Sequence, residues 1–405
     1  MSSILTNNSA MVALQTMKSI NANLNKTQSE ISTGKSVATA RDNAAVWAIS
    51  KTMESDVKGF QGISDSLALG SSTVEVARQA SETVTDLLSD MKKKIVAAQE
   101  DNVDRGKIQT DIVALRDQIN SVVGAAQYNG LNLVNGSNTS VDILASLDRS
   151  STGVTASSIT VDAQDLSTGG YVANDVFASS TGGTISTDAD TFVLALDQGG
   201  GTDDIEFQDG ANAWAAGDKI TMRIGDKTAS YTITSSDVDS GANSMPDLIA
   251  VGMKNAIDSL GISGLTVDYD SGTPGTLSFT NDGTKDLSVS GQYRNAGSGG
   301  LGALATIDVS TASGAALALG AIEGLEQTAI DAASAFGSAQ TRVDTQAKFV
   351  STLSDALKSG IGSMVDADME ETSARLQALQ VQQQLATQAL SIANQAPQNI
   401  LSLFR

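Results

Sequence analysis

Histidine and cysteine are the side chains most often recruited as general base, nucleophile and transition-metal ligand, and both are absent from the 405 residues. A zinc peptidase built on His-Glu-x-x-His and a Ser-His-Asp triad are therefore excluded, and so are a disulfide framework and a zinc-thiolate site. Gly297-Ser298-Gly299-Gly300-Leu301-Gly302 matches the spacing of a dinucleotide-binding loop. A true site also needs a strand before it and a helix after it in a βαβ unit. Here the glycines stand where a glycine-rich middle returns to a helical end, and they read as a linker. Asp188/Asp190, Asp203/Asp204 and Asp268/Asp270 are acidic pairs near glycines. No complete calcium-loop spacing accompanies them, so they read as solvated turn residues. Lys92-Lys93-Lys94 reads as a solvated or interfacial helix face. No cofactor, no metal and no catalytic residue is expected.

Charge narrows the partners. The chain carries 46 acidic and 25 basic residues, a formal net charge of -21. Residues 146–310 hold 22 acids and 7 bases and so supply -15 of it. Such a surface repels phosphate backbones and anionic membranes, so neither nucleic-acid binding nor membrane insertion is expected. No run of about 18 apolar residues appears, and residues 1–13 lack the basic start and apolar run of a Sec-type signal peptide.

The elements that could position side chains fall into two kinds. Residues 1–130 hold 7 glycines, 131–321 hold 26 and 322–405 hold 4. Both ends read as helical. Ala10, Met17, Leu24 and Ile31 recur every seven residues, with Ala13, Ile20 and Thr27 three residues after the first three. Phe60, Leu67, Val74, Ser81, Leu88 and Ile95 form a second heptad line, and Ile63, Gly70, Ala77, Val84, Met91 and Ala98 its partner. That seam predicts a helix over about Val57–Gln99, roughly 60 Å long at 1.5 Å per residue. Ile108, Ile112, Leu115, Ile119 and Val122 predict a third helix. Phe336, Val343, Val350, Leu357 and Met364 supply a matching seam near the other end. A last helix is predicted over about Glu370–Ala396, with Leu379, Ala386 and Ala393 on one line and Leu385 and Ile392 on another. Pro397 then ends or kinks it before the apolar tail Ile400, Leu401, Leu403 and Phe404. A helix apolar on several sides needs several neighbours, which a polymer supplies and a monomer of this size does not. The small and polar residues in these terminal seams suggest segments poorly ordered alone that fold on assembly.

The middle predicts an inserted, mostly antiparallel α+β module. Thr191–Leu196, Lys219–Ile224, Ala229–Thr234, Leu265–Tyr269, Thr276–Thr280 and Leu287–Ser290 have strand composition. Asp247–Leu260 reads as an amphipathic helix, and Gly225-Asp226 as a hairpin turn.

Three stretches resemble bacterial flagellin. The first is Ile4-Leu5-Thr6-Asn7-Asn8-Ser9-Ala10 with Ile31-Ser32-Thr33-Gly34-Lys35-Ser36-Val37. The second is Ala40-Arg41-Asp42-Asn43-Ala44-Ala45, similar to the family's Ala-Lys-Asp-Asp-Ala-Ala turn, together with Gln127-Tyr128-Asn129-Gly130. The third is Leu390 to Leu403, through Ala393-Asn394-Gln395-Ala396-Pro397-Gln398-Asn399-Ile400. The resemblance covers about residues 1–145 and 303–405. It implies a homopolymeric helical filament for swimming motility. Residues 1–44 would form an inner-tube helix and linker, 45–145 and 303–365 the two parts of a helical rod, 146–302 a variable outer domain, and 366–405 a C-terminal inner-tube helix. Arg41 and Asp42 would mark the turn from inner helix to rod. The subunit interface is expected at Ala10, Met17, Ile20, Leu24, Ile31, Leu379, Leu385, Ala386, Leu390, Ile392, Ala393, Ile400, Leu403 and Phe404. The resemblance also implies secretion through the flagellar type III export apparatus, an export chaperone, and filament cap and hook-junction proteins as partners. A hook–filament junction protein is the alternative within the same class, and an adhesive role of the insert is a further alternative.

Overall fold

The computed structural model describes residues 7–150, 153–239, 244–269 and 271–403, with the backbone alone at 149, 150, 154 and 396–403. The chain forms two compact units. Unit 1 comprises residues 1–65, 146–157 and 346–405, and unit 2 comprises 66–145 and 158–345.

Unit 1 contains α1 (Asn8–Thr33), the start of α2 (Ala44–Ala97), the end of α6 (Ala312–Val365) and α7 (Met369–Leu403). Helix α1 begins where the Asn7 side chain accepts the Ala10 amide at 3.1 Å. It ends at Gly34, whose left-handed φ of 69° relieves the last turn. Helix α2 begins much earlier than its heptad seam, because Asn43 caps it by accepting the Val46 amide at 3.2 Å. Helix α7 starts under Asp368, which accepts the Glu370 and Glu371 amides at 3.0 and 3.2 Å. The sequence placed its end near Ala396, with Pro397 ending or kinking it, but the helix runs on to Leu403. Proline removes one amide donor, and the bonds on either side carry the helix past it.

Unit 2 holds the rest of α2, helix α3 (Arg105–Ala125), most of α6 and the inserted module apart from residues 146–157. Here α2 and α6 run antiparallel. Ser71 meets Asp344 at 3.1 Å, Arg78 meets Gln340 at 2.8 Å, and Lys92 meets Glu326 at 3.1 Å. The heptad lines face inward: Leu67, Val74, Ala77, Val84, Leu88, Met91 and Ile95 of α2 and Phe336 and Val343 of α6 are buried. Ser81 is also fully buried on this line, and its hydroxyl donates to the Ala77 carbonyl at 2.8 Å.

Short strands β1 (Gln127–Tyr128) and β2 (Leu131–Asn132) pair after α3, and β3 (Ser140–Ser150) pairs with β4 (Gly153–Asp162). The module then adds β5 (Phe177–Ser179), β6 (Thr184–Ile185), β7 (Thr191–Leu196), β8 (Gly201–Phe207), β9 (Lys219–Ile224) and β10 (Lys227–Thr232). Helices α4 (Ser235–Asp239) and α5 (Met245–Ser259) precede β11 (Leu265–Tyr269), β12 (Thr276–Asn281) and β13 (Leu287–Arg294). Two antiparallel sheets result, in the orders β10-β9-β13-β7-β6 and β11-β12-β8-β5. The Gly225-Asp226 turn closes the β9–β10 hairpin, with Ile224 opposite Lys227. Alternation puts Ile220, Met222 and Ile224 of β9 inside with Phe177, Phe192, Phe207 and Phe279. The Phe177 and Phe192 rings pack edge to face at 4.8 Å. Gly291 of β13 lies opposite Phe192, and a Cβ there would fall 2.0 Å from the ring.

The glycine motif at 297–302 is no loose linker. Ser298, Leu301 and Gly302 are buried. The Gly299 amide donates to the Gly169 carbonyl at 2.9 Å and the Leu301 amide to the Ser167 carbonyl at 3.0 Å. A Cβ on Gly299 or Gly300 would meet the carbonyls of Ser167 and Asp165 at 2.1 and 2.0 Å. The motif stitches the strand of chain leaving the module to the one entering it.

Candidate subunit interface

The terminal helices carry most of the expected interface residues. Helices α1 and α7 pack antiparallel. The Asn7 side chain donates to the Ala393 carbonyl at 2.8 Å, and the Gln383 side chain donates to Asn21 at 2.8 Å. Ile20, Leu24 and Leu379 form the only apolar cluster between them among the described residues, with Leu376 and Ala386 packed alongside. Ala10, Met17 and Ile31 of α1, and Ala386, Leu390 and Ala393 of α7, are half-buried on the same seam. Thr27 and Thr372 are buried polar members of the two helices.

The remaining expected residues point elsewhere. Leu385 is 58% exposed and Ile392 69%. The structure adds neighbours outside the heptad lines read from sequence: Met11, Val12 and Leu14 on α1 and Val381 on α7 are also exposed. Their signal was present, since three apolar residues stand within four positions of α1, but it lies off the counted period. The side chains of Ile400 and Leu403, and the whole of Phe404, fall outside the described residues.

The turn between α1 and α2 is built around Asp42. Its carboxylate accepts the Thr39 amide at 2.9 Å, the Thr39 hydroxyl at 3.0 Å and the Ala38 amide at 3.2 Å. Those donors, the Thr39 amide foremost, hold the carboxyl below its ordinary range although it is exposed. Arg41 beside it is exposed and makes no ion pair among the described residues. The same turn is tied to the α6–α7 junction. The Ser36 amide donates to the Val365 carbonyl at 2.7 Å, and the Ala367 amide donates to the Gly34 carbonyl at 3.0 Å. Lys35 reaches Glu54 at 3.8 Å.

The groups that could have carried chemistry are occupied structurally. Asp190 and Asp203 are buried rather than solvated. Asp190 accepts from the Tyr171 hydroxyl at 2.6 Å and the Ser186 hydroxyl at 2.7 Å. Asp203 accepts from the Gly182 and Asp204 amides at 2.8 Å each. Burial, then the Asp190 charge, pushes the Tyr171 phenol far up, and burial beside Asp218 does the same to Tyr293. The lysine run is paired residue by residue: Lys92 with Glu326 and Glu323, Lys93 with Asp90, Lys94 with Asp111. Burial alone would lower the Lys92 ammonium, but Glu326 and Glu323 raise it. Among the described residues no group of three or more acidic side chains could hold a metal ion, and no helix is long and apolar enough to cross a membrane.

The chain has two long helices, α1 and α7, paired from its two ends, with a module of antiparallel sheets inserted between the helical ends, the organisation of a helical structural subunit. Residues 4–139 match the family model for the bacterial flagellin N-terminal helical region, and residues 319–404 match that for the C-terminal helical region. Flagellin A of Rhizobium meliloti is 36% identical over 420 residues, covering 100% of both chains. The flagellin of Brucella melitensis is 32% identical over 406 residues, again covering 100% of both. The chain belongs to the bacterial flagellin family, and it is a subunit of the flagellar filament. The sequence matches favour this over the hook–filament junction alternative. Solved structures align more loosely. The FliC protein of Burkholderia pseudomallei is 15% identical, covers 67% of this chain and 99% of its own, and gives a TM-score of 0.33. Hook associated protein-3 of Legionella pneumophila is 11% identical, covers 78% and 98%, and gives 0.39.

Proposed function

We propose that polymerisation is driven by the apolar residues that the α1–α7 pair leaves uncovered. The observation that carries this reading is the outward set Met11, Val12, Leu14, Val381, Leu385 and Ile392 on a helix pair with three buried apolar side chains among the described residues. Covering such surface contributes roughly 25 cal/mol per Å², which exceeds the entropy of ordering the helices only when neighbouring copies are present. Subunits then add to an existing end far more readily than they nucleate. In this reading residues 1–44 and 366–405 line the inner tube, with Arg41 and Asp42 at the turn that leads to the rod. Residues 45–145 and 303–365 form the rod, and 146–302 project outward. The interface extends through Ile400, Leu403 and Phe404. Secretion runs through the flagellar type III apparatus with an export chaperone, and a filament cap and hook-junction proteins meet the ends of the polymer.

Seeded growth watched by electron microscopy tests the reading. Chains lacking residues 1–34 or 370–405 are expected not to extend seeds, and chains lacking 155–300 to extend them. Normal filaments from either end-truncated chain would sink the proposal.

A further inference from the structure

Helix α7 continues through Pro397, and that continuity leaves a specific debt in hydrogen bonding. Proline has no N–H, so the carbonyl four residues before it, that of Ala393, loses the donor that an α-helix would otherwise supply. In this structure that carbonyl accepts the Asn7 side-chain N–H at 2.8 Å, from 386 residues away in the chain. The oxygen of the same amide accepts the Ala10 N–H at 3.1 Å and caps α1. One short side chain thus supplies an acceptor to the start of α1 and a donor to the orphaned carbonyl of α7. Aspartate has the acceptor without the donor.

The surroundings explain why such a contact matters. Next to it the two helices leave a groove of about 280 Å³ lined by Val12, Ala13, Thr16, Ala386, Ala389 and Ala393. The Ile20–Leu24–Leu379 cluster and the bonds between residues 34–36 and 365–367 hold the far end of the pair, but at this end the small side chains interlock weakly and leave the local register to a polar contact. A polar group at a single seam position is the established way for paired helices to fix register at some cost in stability. The Asn21–Gln383 contact lies further along the same seam, but neither of its groups is orphaned by covalent chemistry, so water replaces either partner readily.

We infer that Asn7 is the positioning residue that sets the register of α1 on α7, with the Ala393 carbonyl, released by Pro397, as its receptor. Register decides which apolar side chains of the two helices stand together on the outward face, so the inference rests on the filament reading above. The cycle Asn7→Asp, Pro397→Ala and the double variant tests it, with the full-length protein and wild-type seeds. Asn7→Asp keeps the cap of α1 and removes the donor. It is expected to raise the subunit concentration in equilibrium with filament ends about fivefold, the size of one neutral hydrogen bond. In the Pro397→Ala background the restored N–H satisfies Ala393, and the same change is expected to lose most of that effect. Equal effects in both backgrounds, or none in the first, overturn the inference. A second measurement needs no proline variant. The Ala393 carbonyl ¹³C shift in labelled filaments is expected to move upfield on Asn7→Asp, and an unchanged shift overturns the inference. Failure of the wild type to extend seeds would count against the filament reading, not against the Asn7 contact.

Discussion

The α1–α7 pair and the inserted module solve opposite problems. The module closes two sheets and α5 over a core that includes four phenylalanines, each no more than 2% exposed. The helix pair has 26 and 35 residues in its two members, yet among the described apolar side chains it buries only Ile20, Leu24 and Leu379, each at 8–9% exposure. Length of regular structure is therefore a poor guide to self-sufficiency. A sheet alternates sides and can hide every second residue within one chain, whereas a helix apolar on several faces has more surface than one partner can cover.

Placing a carboxylate on the outward face of α7 should break this contrast most forcefully. Ile392→Asp removes about 2 kcal/mol of apolar burial per subunit and asks a charge to enter the contact. The free subunit concentration at filament ends is expected to rise more than about 30-fold in sedimentation assays, with the module's thermal unfolding unchanged. Gly291→Val does the reverse. Its side chain collides with the Phe192 ring, and calorimetry is expected to show the module destabilised by about 3 kcal/mol, roughly 10 °C in Tm, while filaments still grow. Leu24→Ala sharpens the comparison within the helix pair. About 2 kcal/mol is expected to be lost from the filament, read as a lower depolymerisation temperature, and none from the module.

The two regions should also fail at opposite ends of the pH scale. Folding raises the Tyr171 and Tyr293 phenols, so the module's stability is fully present below their ordinary value near pH 10 and is lost as pH rises beyond it. Tyr171→Phe is expected to flatten that alkaline loss in pH-dependent melting curves. The α1–α2 turn behaves inversely. Asp42 titrates below its ordinary value, so its contribution is present above the usual carboxylate range and fades as pH falls through the lowered value. Faster Thr39 amide exchange at low pH is expected in the wild type, and Asp42→Asn should exchange at a nearly pH-independent excess rate once intrinsic rates are divided out.

Much of this architecture was legible in the residues. The heptad lines of α1, α2 and α6 were readable because one side is apolar every seventh residue. Strands β7, β9 and β11 were readable to the residue from their composition. The structure starts β10 at Lys227, two residues before the expected Ala229, because the tight turn begins its pairing at once. It extends β13 to Arg294, where pairing with β9 continues past the apolar stretch. Strands β3 and β4 escaped notice because serine, threonine and aspartate interrupt their alternation, and β8 hid behind Thr202-Asp203-Asp204. Asp203 could not be read as buried, since its partner Gly182, 21 residues away in the chain, reaches it only in the fold. The inward seam of the helix pair was visible as a period. The outward residues Val12 and Leu14 were not, because exposure depends on where the partner helix lies. The Asn7–Ala393 contact joins residues with no local signature, and Pro397, read as ending or kinking the helix, lies within it as a missing donor.

The stitched glycines at 297–302 carry one last consequence. The Gly299 amide donates to the Gly169 carbonyl at 2.9 Å, and a Cβ on Gly170 would fall 2.8 Å from the Gly297 carbonyl oxygen, so the two chain crossings run side by side and a two-residue hairpin is short enough to rejoin them once the segment between is excised. The socket that accepts the module is thus indifferent to what fills it, provided the replacement's own termini emerge side by side. Grafts of unrelated β-domains at this doorway are expected to leave the Ile20–Leu24–Leu379 cluster of the α1–α7 pair unchanged.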